Sequence, residues 1–420
     1  MSTAWMSRYA QRTQGVRSSA IRELLKLTER PEVISFAGGL PASDVFPTDR
    51  LRAACRKVLE QQPHLALQYG ATEGYEPLRE MIARHIARYG IKARSENVLI
   101  TSGSQQALDL IGKLLLNAGD RVLVEAPTYL GALQAFSVYG AGYVSVPSDE
   151  DGLRSDLLEA PLRSGPKVMY VLPNFQNPGG TTLSEVRRHQ LVLLADQYGI
   201  PIIEDDPYGQ LRYEGEHLTP LVVLDRENLR RDSGYSIGNV IYLSTFSKIL
   251  APGLRLGWIV APPEVIGKLV QLKQGADLHT STFVQMVAYE VARDNFLDQH
   301  VKLIRRVYRE RRDVMLEALT RCFPPELTWT RPMGGLFLWV TLPQGMDAQR
   351  LFESALRENV AFVPGDSFYA PNGHQDDARR HLRLNFSAAQ PDQIREGIRR
   401  LGVAVKRQLD ELRSLATGAR

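Results

Sequence analysis

Between about Asn97 and Ala261 short apolar runs alternate with helical patterns, and this rhythm limits the possible folds more than any other feature of the chain. Two parallel strands cannot be joined by a tight turn; they need a crossover, usually a helix. The repeating order therefore implies a parallel or mostly parallel sheet. Strands are expected at 98–101, 121–125, 142–146, 167–172, 201–205, 240–244 and 256–261. Helices between them include 105–116, 129–139 and 185–198, the last capped by Ser184. Seven strands make one large α/β domain.

After about residue 265 the pattern changes to long helices, then strands at 327–330, 336–342, 361–363 and 381–385 around a helix near 348–358. A closing helix is expected from about Pro391 to Leu415. This reads as a smaller α+β domain. The segment before Gly38 is expected to be helical and to belong to neither sheet. Two domains also suit 420 residues, because a single core stops growing near ~250–300. The expected division is an arm at 1–49 packing with the small domain, a large domain at 50–290 and a small one at 291–420.

Composition removes several function classes. A net charge of +4 is too small at this length to suggest a phosphate-backbone binder. Cys55 and Cys322 lie far apart, and the histidines are scattered, so neither a disulfide framework nor a metal site is expected. No run approaches the ~18–20 apolar residues that cross a bilayer, and a cytoplasmic setting is expected. Arg8, Arg12, Arg17 and Arg22 superficially resemble a transit peptide, but Gly15 interrupts them.

Three motifs read as decoys. Gly234-Tyr235-Ser236-Ile237-Gly238 has the spacing of a nucleophile elbow, yet a strand follows where a helix is required. Gly140-Ala141-Gly142 lies between a helix and a strand, with Ser145 at the third glycine position, and is a turn. Lys302, Arg305, Arg306, Arg309, Arg311 and Arg312 form a basic run beside Val301, Ile304, Tyr308 and Met315, expected to be a solvated helix face.

The chemistry concentrates in Thr245-Phe246-Ser247-Lys248-Ile249-Leu250-Ala251-Pro252-Gly253-Leu254-Arg255-Leu256-Gly257, directly after a buried strand. A lysine amine can form a Schiff base, while Thr245, Ser247 and Arg255 can neutralise and bond a phosphate. Thr101-Ser102-Gly103-Ser104-Gln105-Gln106-Ala107 sits where a strand passes into a helix, which makes an anion cradle. Tyr129, after the next strand, offers a face for a heteroaromatic ring. Gln176-Asn177-Pro178-Gly179-Gly180 ends a strand at the carboxyl edge where open α/β sheets bind ligands. Ile203-Glu204-Asp205-Asp206-Pro207-Tyr208 puts an acid at the end of an apolar strand, where a carboxylate needs a partner.

Together these segments resemble the fold type I pyridoxal 5′-phosphate (PLP) enzymes, specifically the class I and II aminotransferases. Phe36-Ala37-Gly38-Gly39-Leu40-Pro41, Leu67-Gln68-Tyr69, Gly103-Ser104-Gln105-Gln106 and Gln274-Gly275-Ala276-Asp277-Leu278-His279 make the chain most similar to the branch of 2-aminoadipate and kynurenine aminotransferases. The resemblance implies that Lys248 holds PLP as the internal aldimine and moves the proton, and that Asp205 pairs with the pyridine nitrogen. It implies that Asn177 and Tyr208 bond the phenolic oxygen and that Tyr129 stacks on the ring. Phosphate contacts fall to Gly103, Ser104, Gln105, Thr245, Ser247 and Arg255, with Tyr69 reaching in from a second subunit of a homodimer. Arg383 matches the arginine that grips the substrate α-carboxylate with two prongs, and the Gly39 backbone lines that end. Gly179 stands where the family usually has threonine.

The implied reaction is a ping-pong transfer of an amino group between an L-amino acid and a 2-oxo acid. 2-Aminoadipate, glutamate, leucine and aromatic amino acids are the expected donors, and 2-oxoglutarate the acceptor. A distal carboxylate needs a cation, for which Arg22 is expected, with Ser19 as a polar neighbour. Two rivals remain at this point. A PLP-dependent β-lyase or decarboxylase would use the same ring, and a ligand-sensing regulator could use the basic run.

Overall fold

The computed structural model describes residues 5–13, 30–228, 238–371 and 375–418. Its first strand, β1 (Ile34–Ser35), is followed by the strands of a large sheet: β2 (Val98–Thr101), β3 (Arg121–Ala126), β4 (Gly142–Asp149), β5 (Gly152–Leu153), β6 (Val168–Val171), β7 (Ile202–Asp205), β8 (Val240–Thr245) and β9 (Gly257–Val260). The sheet runs β2-β9-β8-β7-β6-β3-β4-β5. Pairings from β8 through β7, β6 and β3 to β4 are parallel, and β9 is antiparallel to both neighbours.

The mostly parallel sheet therefore stands, with eight strands among the described residues rather than seven. β5 escaped because it is two residues long and pairs by a hairpin with the extended end of β4. Alternation along the strands sorts their side chains onto two cores. Leu99, Val122, Val124, Val168, Tyr170, Ile203, Leu243 and Ile259 face one core, under the helices Ser104–Leu115, Leu130–Ser137 and Pro263–Asp277. Val98, Ile100, Leu123, Met169, Val171, Ile202, Val240 and Trp258 face the other.

The later strands form a second sheet. β10 (Thr328–Trp329), β11 (Phe337–Thr341), β13 (Val363–Pro364) and β14 (His381–Asn385) pair antiparallel in the order β10-β11-β14-β13. The expected strand at 361–363 is two strands, because β12 (Val360–Ala361) turns away at Phe362 to pair with β1. Asp347 caps the helix Ala348–Arg357, accepting from the backbone N–H of Gln349 and Arg350. The closing helix Pro391–Gly418 packs on the helix Phe296–Cys322.

Four local expectations are corrected. Ser184 occupies the N-cap position of Glu185–Gln197, but its side chain makes no capping bond. The helix expected at 129–139 is Leu130–Ser137, with Tyr129 at its extended N-cap position. In the segment before Gly38, expected to be helical, the described residues hold short 3-10 turns at Trp5–Arg8 and Gln11–Thr13 and the strand β1, and residues 14–29 lie outside the described residues. The basic run is only partly solvated: Arg311 and Arg312 are 2% and 5% exposed. Arg311 donates to the Ser387 carbonyl at 2.5 Å and to Asp44 at 2.8 Å, and Arg312 to the Pro332 carbonyl at 2.8 Å. Those cations hold the fold together.

Among the described residues, no helix is long and apolar enough to cross a membrane. Cys55 and Cys322 are unpaired. The serine decoy at 236 lies outside the described residues.

Candidate active site

Register builds the anion cradle. Gly257 of β9 pairs with Thr101 on one side and with Thr245 on the other, so the ends of β2 and β8 lie either side of one residue. The segments following those ends, Ser102–Gln105 and Phe246–Lys248, therefore converge although ~140 residues separate them. A side chain at Gly257 would come within 2.9 Å of the Gly103 carbonyl carbon and the Ser104 nitrogen. Gly103 has φ +82°, and a Cβ there would lie 2.5 Å from the terminal nitrogen of Arg255. Backbone, helix N-terminus and guanidinium thus close on one spot.

Within that spot Ser104 Oγ is buried without a partner. Thr245 Oγ1 lies 2.8 Å from the Leu256 carbonyl, which can only accept, and receives the Ser247 N–H at 3.0 Å. Thr245 Oγ1 also bonds Ser247 Oγ at 2.9 Å, so the two hydroxyls and the turn form one hydrogen-bonded unit. Gln105 donates to the Gly131 carbonyl at 2.9 Å, which ties the cradle to the helix behind Tyr129.

The acidic run at the end of β7 divides its labour by strand parity. Glu204 accepts from the N–H groups of Leu221 and Val222, both at 2.9 Å, at the start of the helix Leu221–Asn228. Asp205, on the opposite face, accepts from Tyr170 at 2.8 Å through Oδ2, while Oδ1 is buried with no partner. Asp206 accepts from Asn174 at 3.0 Å and from the Gly209 N–H at 2.8 Å. Burial pushes the Asp205 carboxyl up to about 7 against the downward pull of the Tyr170 hydrogen bond.

Arg188, which is fully buried, fixes the loop after β6. It donates to the carbonyls of Leu183 and Pro173 at 2.8 and 3.0 Å and to Asn174 Oδ1 at 2.7 Å. That loop carries Asn177, whose Oδ1 accepts from Arg383 at 2.7 Å. Arg383 also donates to the Ala37 carbonyl at 2.6 Å and stacks over the Phe337 ring at 4.3 Å. Tyr208 lies beside Asn177, edge-on to Phe337. Lys248 donates to the Gly39 carbonyl at 2.8 Å. Burial first, then Arg383 and Arg255, lower the Lys248 amine from 10.5 to about 8.

One cavity of about 340 Å³ touches nearly all of these groups, including Gly39, Ser104, Tyr129, Asn177, Asp205, Tyr208, Ser247, Lys248, Arg255 and Arg383. Two orphaned buried atoms on its lining residues match the polar groups of a ligand that carries a ring N–H and phosphate oxygens. Asp205 Oδ1 would accept the first, and Ser104 Oγ would donate to the second. Tyr69 stands apart: it is 77% exposed and lies edge-on to His279. Arg22 and Ser19 lie outside the described residues. Sequence reading missed Tyr170, Asn174 and Arg188. Tyr170 was open to discovery, since it interrupts an aliphatic strand next to the one that carries Asp205.

A lysine, an anion cradle and a buried acid with an orphaned oxygen, all lining one cavity at the ends of this sheet's strands, define a fold type I PLP enzyme. The family profile for class I and II aminotransferases matches residues 32–401, and the chain belongs to that family. It is 46% identical over 408 residues to aromatic-amino-acid aminotransferase 1 of Thermococcus litoralis, covering 96% of this chain and 94% of the relative. It is 45% identical over 404 residues to the 2-aminoadipate transaminase of Thermus thermophilus, covering 96% and 98%. Among solved structures, the α-aminoadipate aminotransferase of Thermus thermophilus, complexed with N-(5′-phosphopyridoxyl)-L-leucine, superposes with a TM-score of 0.88. That match has 43% identity and covers 97% of this chain and all of the other. The protein is thus a PLP-dependent aminotransferase acting on amino acids, and amino-group transfer stands over the lyase and regulator readings.

Proposed function

We propose that this aminotransferase exchanges the amino group of L-2-aminoadipate, glutamate, leucine or an aromatic amino acid with a 2-oxo acid such as 2-oxoglutarate. The observation that carries the site assignment is the pair of orphaned buried atoms, Asp205 Oδ1 and Ser104 Oγ, on residues that line one cavity together with Lys248 and Arg383. When bound, PLP draws the electrons of a broken bond at the substrate α-carbon into its ring.

The chain's residues do the rest. Ser104, Gln105, Ser247, Arg255 and the Gly103 amide hold the phosphate, and Thr245 supports them by fixing the turn. Asp205 Oδ1 accepts the ring N–H, Tyr129 covers the ring face, and Asn177 Nδ2 and the Tyr208 hydroxyl donate to the phenolic oxygen. Arg383 receives the substrate carboxylate beside the Gly39 backbone. Lys248 Nζ takes the proton from the α-carbon, a task suited to an amine whose pKa is lowered to about 8. Arg383 supplies two parallel donors where a lysine would supply one point charge.

Breadth of substrate rests on the relatives: one is named for aromatic amino acids, another for 2-aminoadipate, and the solved structure holds a leucine adduct. The described cations that line the cavity are Lys248, Arg255 and Arg383, and this reading assigns them to the cofactor and the α-carboxylate. A distal carboxylate then calls on Arg22, with Ser19 beside it. Replacing Arg22 by Ala should raise KM for 2-aminoadipate at least tenfold and leave leucine within twofold. Equal effects on both would remove Arg22 from this role.

The working unit in this reading is a homodimer that shares Tyr69 between sites, because Tyr69 is exposed here beside exposed Leu67 and Leu278. The proposed division keeps the arm at 1–49, a large domain at 50–290 and a small one at 291–420; the β1–β12 pairing favours joining the arm to the small domain. A cytoplasmic setting suits the two unpaired cysteines.

A further inference from the structure

The side-chain donor to Asp205 is Tyr170, and strand register sets both positions. Tyr170 pairs in register with Val124 of β3 and with Ile203 of β7. Side chains alternate along a strand, so Ile203 and Asp205 share a face, and Tyr170 on the neighbouring strand shares it too. Asp205 lies one pleat nearer the carboxyl edge, where the tyrosine hydroxyl arrives at 2.8 Å from Oδ2. The Tyr170 ring is fully buried and edge-on to Phe136 at 6.1 Å.

We propose that Tyr170 is a positioning residue for the cofactor's ring nitrogen: by donating to Asp205 Oδ2 it turns Oδ1 into the cavity and favours the carboxylate's charged form. This rests on the reading of Asp205 as the nitrogen's partner. A carboxylate in an apolar strand end has two ways to exist, neutral or paired. Charged, it keeps the ring nitrogen protonated; neutral, it leaves the nitrogen bare and a weaker electron acceptor. Around Asp205 lie Tyr170, Asp206, Tyr129 and Tyr208. Only the Tyr170 hydrogen bond lowers the carboxyl, whereas burial and Asp206 raise it. Burial and the neighbouring carboxylate hold the Tyr170 phenol far above its ordinary pKa, so it remains a donor at every working pH.

The test follows the ¹⁵N resonance of ring-labelled PLP in the holoenzyme through a pH titration. In Tyr170→Phe the nitrogen should lose its proton about one pH unit lower than in the parent. The amino-donor half-reaction should fall about tenfold in kcat, with KM changed less than twofold. 3-Fluorotyrosine at position 170, a stronger donor of nearly the same shape, should hold the proton to higher pH and keeps the test open if the Phe protein folds poorly. Asp205→Asn separates the two readings. If it shifts the titration while both changes at position 170 leave it unmoved, the Tyr170 role is overturned and the Asp205 assignment stands. If none of the three moves it, the Asp205 assignment itself fails.

Discussion

Arg383 of β14 donates to Asn177 Oδ1 at 2.7 Å, joining the small sheet to the loop after β6 across 206 residues of sequence. The same guanidinium reaches the Ala37 carbonyl at 2.6 Å and leaves Nε buried without a partner. It is held in place before any substrate arrives, at the cost of burial that lowers its pKa to about 10. A buried cation with an unused donor is a poor structural element but a good carboxylate receptor.

Arg383→Lys should therefore lower kcat/KM for every amino acid about 100-fold, near the roughly 1.5–3 kcal/mol of the one charge-assisted hydrogen bond that a lysine cannot replace. Most of the change should fall on KM, and the visible spectrum of bound PLP should stay as in the parent. Steady-state kinetics with leucine and glutamate check it. A loss confined to glutamate would place Arg383 on the distal carboxylate instead.

The lowered Lys248 amine has a signature in the PLP-free protein. Its pKa is about 8 folded against 10.5 ordinarily, so below pH 8 both states carry the proton and the folded state bears the full penalty. As pH rises from 8 to 10.5 the folded state binds fewer protons than the unfolded, and stability increases. Lys248→Met removes this dependence. Near pH 7 the Met protein should be more stable by up to roughly 3 kcal/mol, with the gap closing by about pH 10.5. Urea denaturation at several pH values measures it; a gap independent of pH would contradict a lowered amine.

At Gly103 the φ of +82° and the approach to Arg255 both forbid a side chain. Gly103→Ala should weaken PLP binding about tenfold, in keeping with the ~1–3 kcal/mol of a strained backbone position. Gly253→Ala, where a Cβ meets nothing within 4 Å, is the control and should bind PLP as the parent does. Equal affinities across all three proteins would dissociate the cradle from the phosphate.

Sharing of Tyr69 is tested by mixing inactive partners. Tyr69→Ala and Lys248→Ala chains, refolded together, should regain about a quarter of parental activity, because half the molecules are mixed dimers with one intact site each. If Tyr69 served its own chain, the mixture would show only the residual activity of its components.

Much of this was legible in the chain because strands buried on both faces write themselves as apolar runs, and a lysine among hydroxyls after such a run is distinctive. Lys248, Asn177, Asp205 and Arg383 were placed by motif, and all line one cavity. What stayed hidden depends on register and on distant partners. Arg311 looked solvated because its acceptors, Ser387 and Asp44, lie 76 and 267 residues away. Thr245 Oγ1 lies 2.8 Å from the carbonyl of Leu256, a partner that only the folded turn brings within reach. Tyr170 looked like core, which it is, except for its one polar atom.

The most direct measurement of the central claim is a single-turnover experiment on PLP-loaded protein with leucine alone. The parent should lose the visible band of lysine-bound PLP, gain that of the pyridoxamine form, and release one 2-oxo acid per site; Lys248→Ala should show neither the band nor the turnover. Release of ammonia or carbon dioxide by the parent, or an unchanged band in Lys248→Ala, would contradict the account.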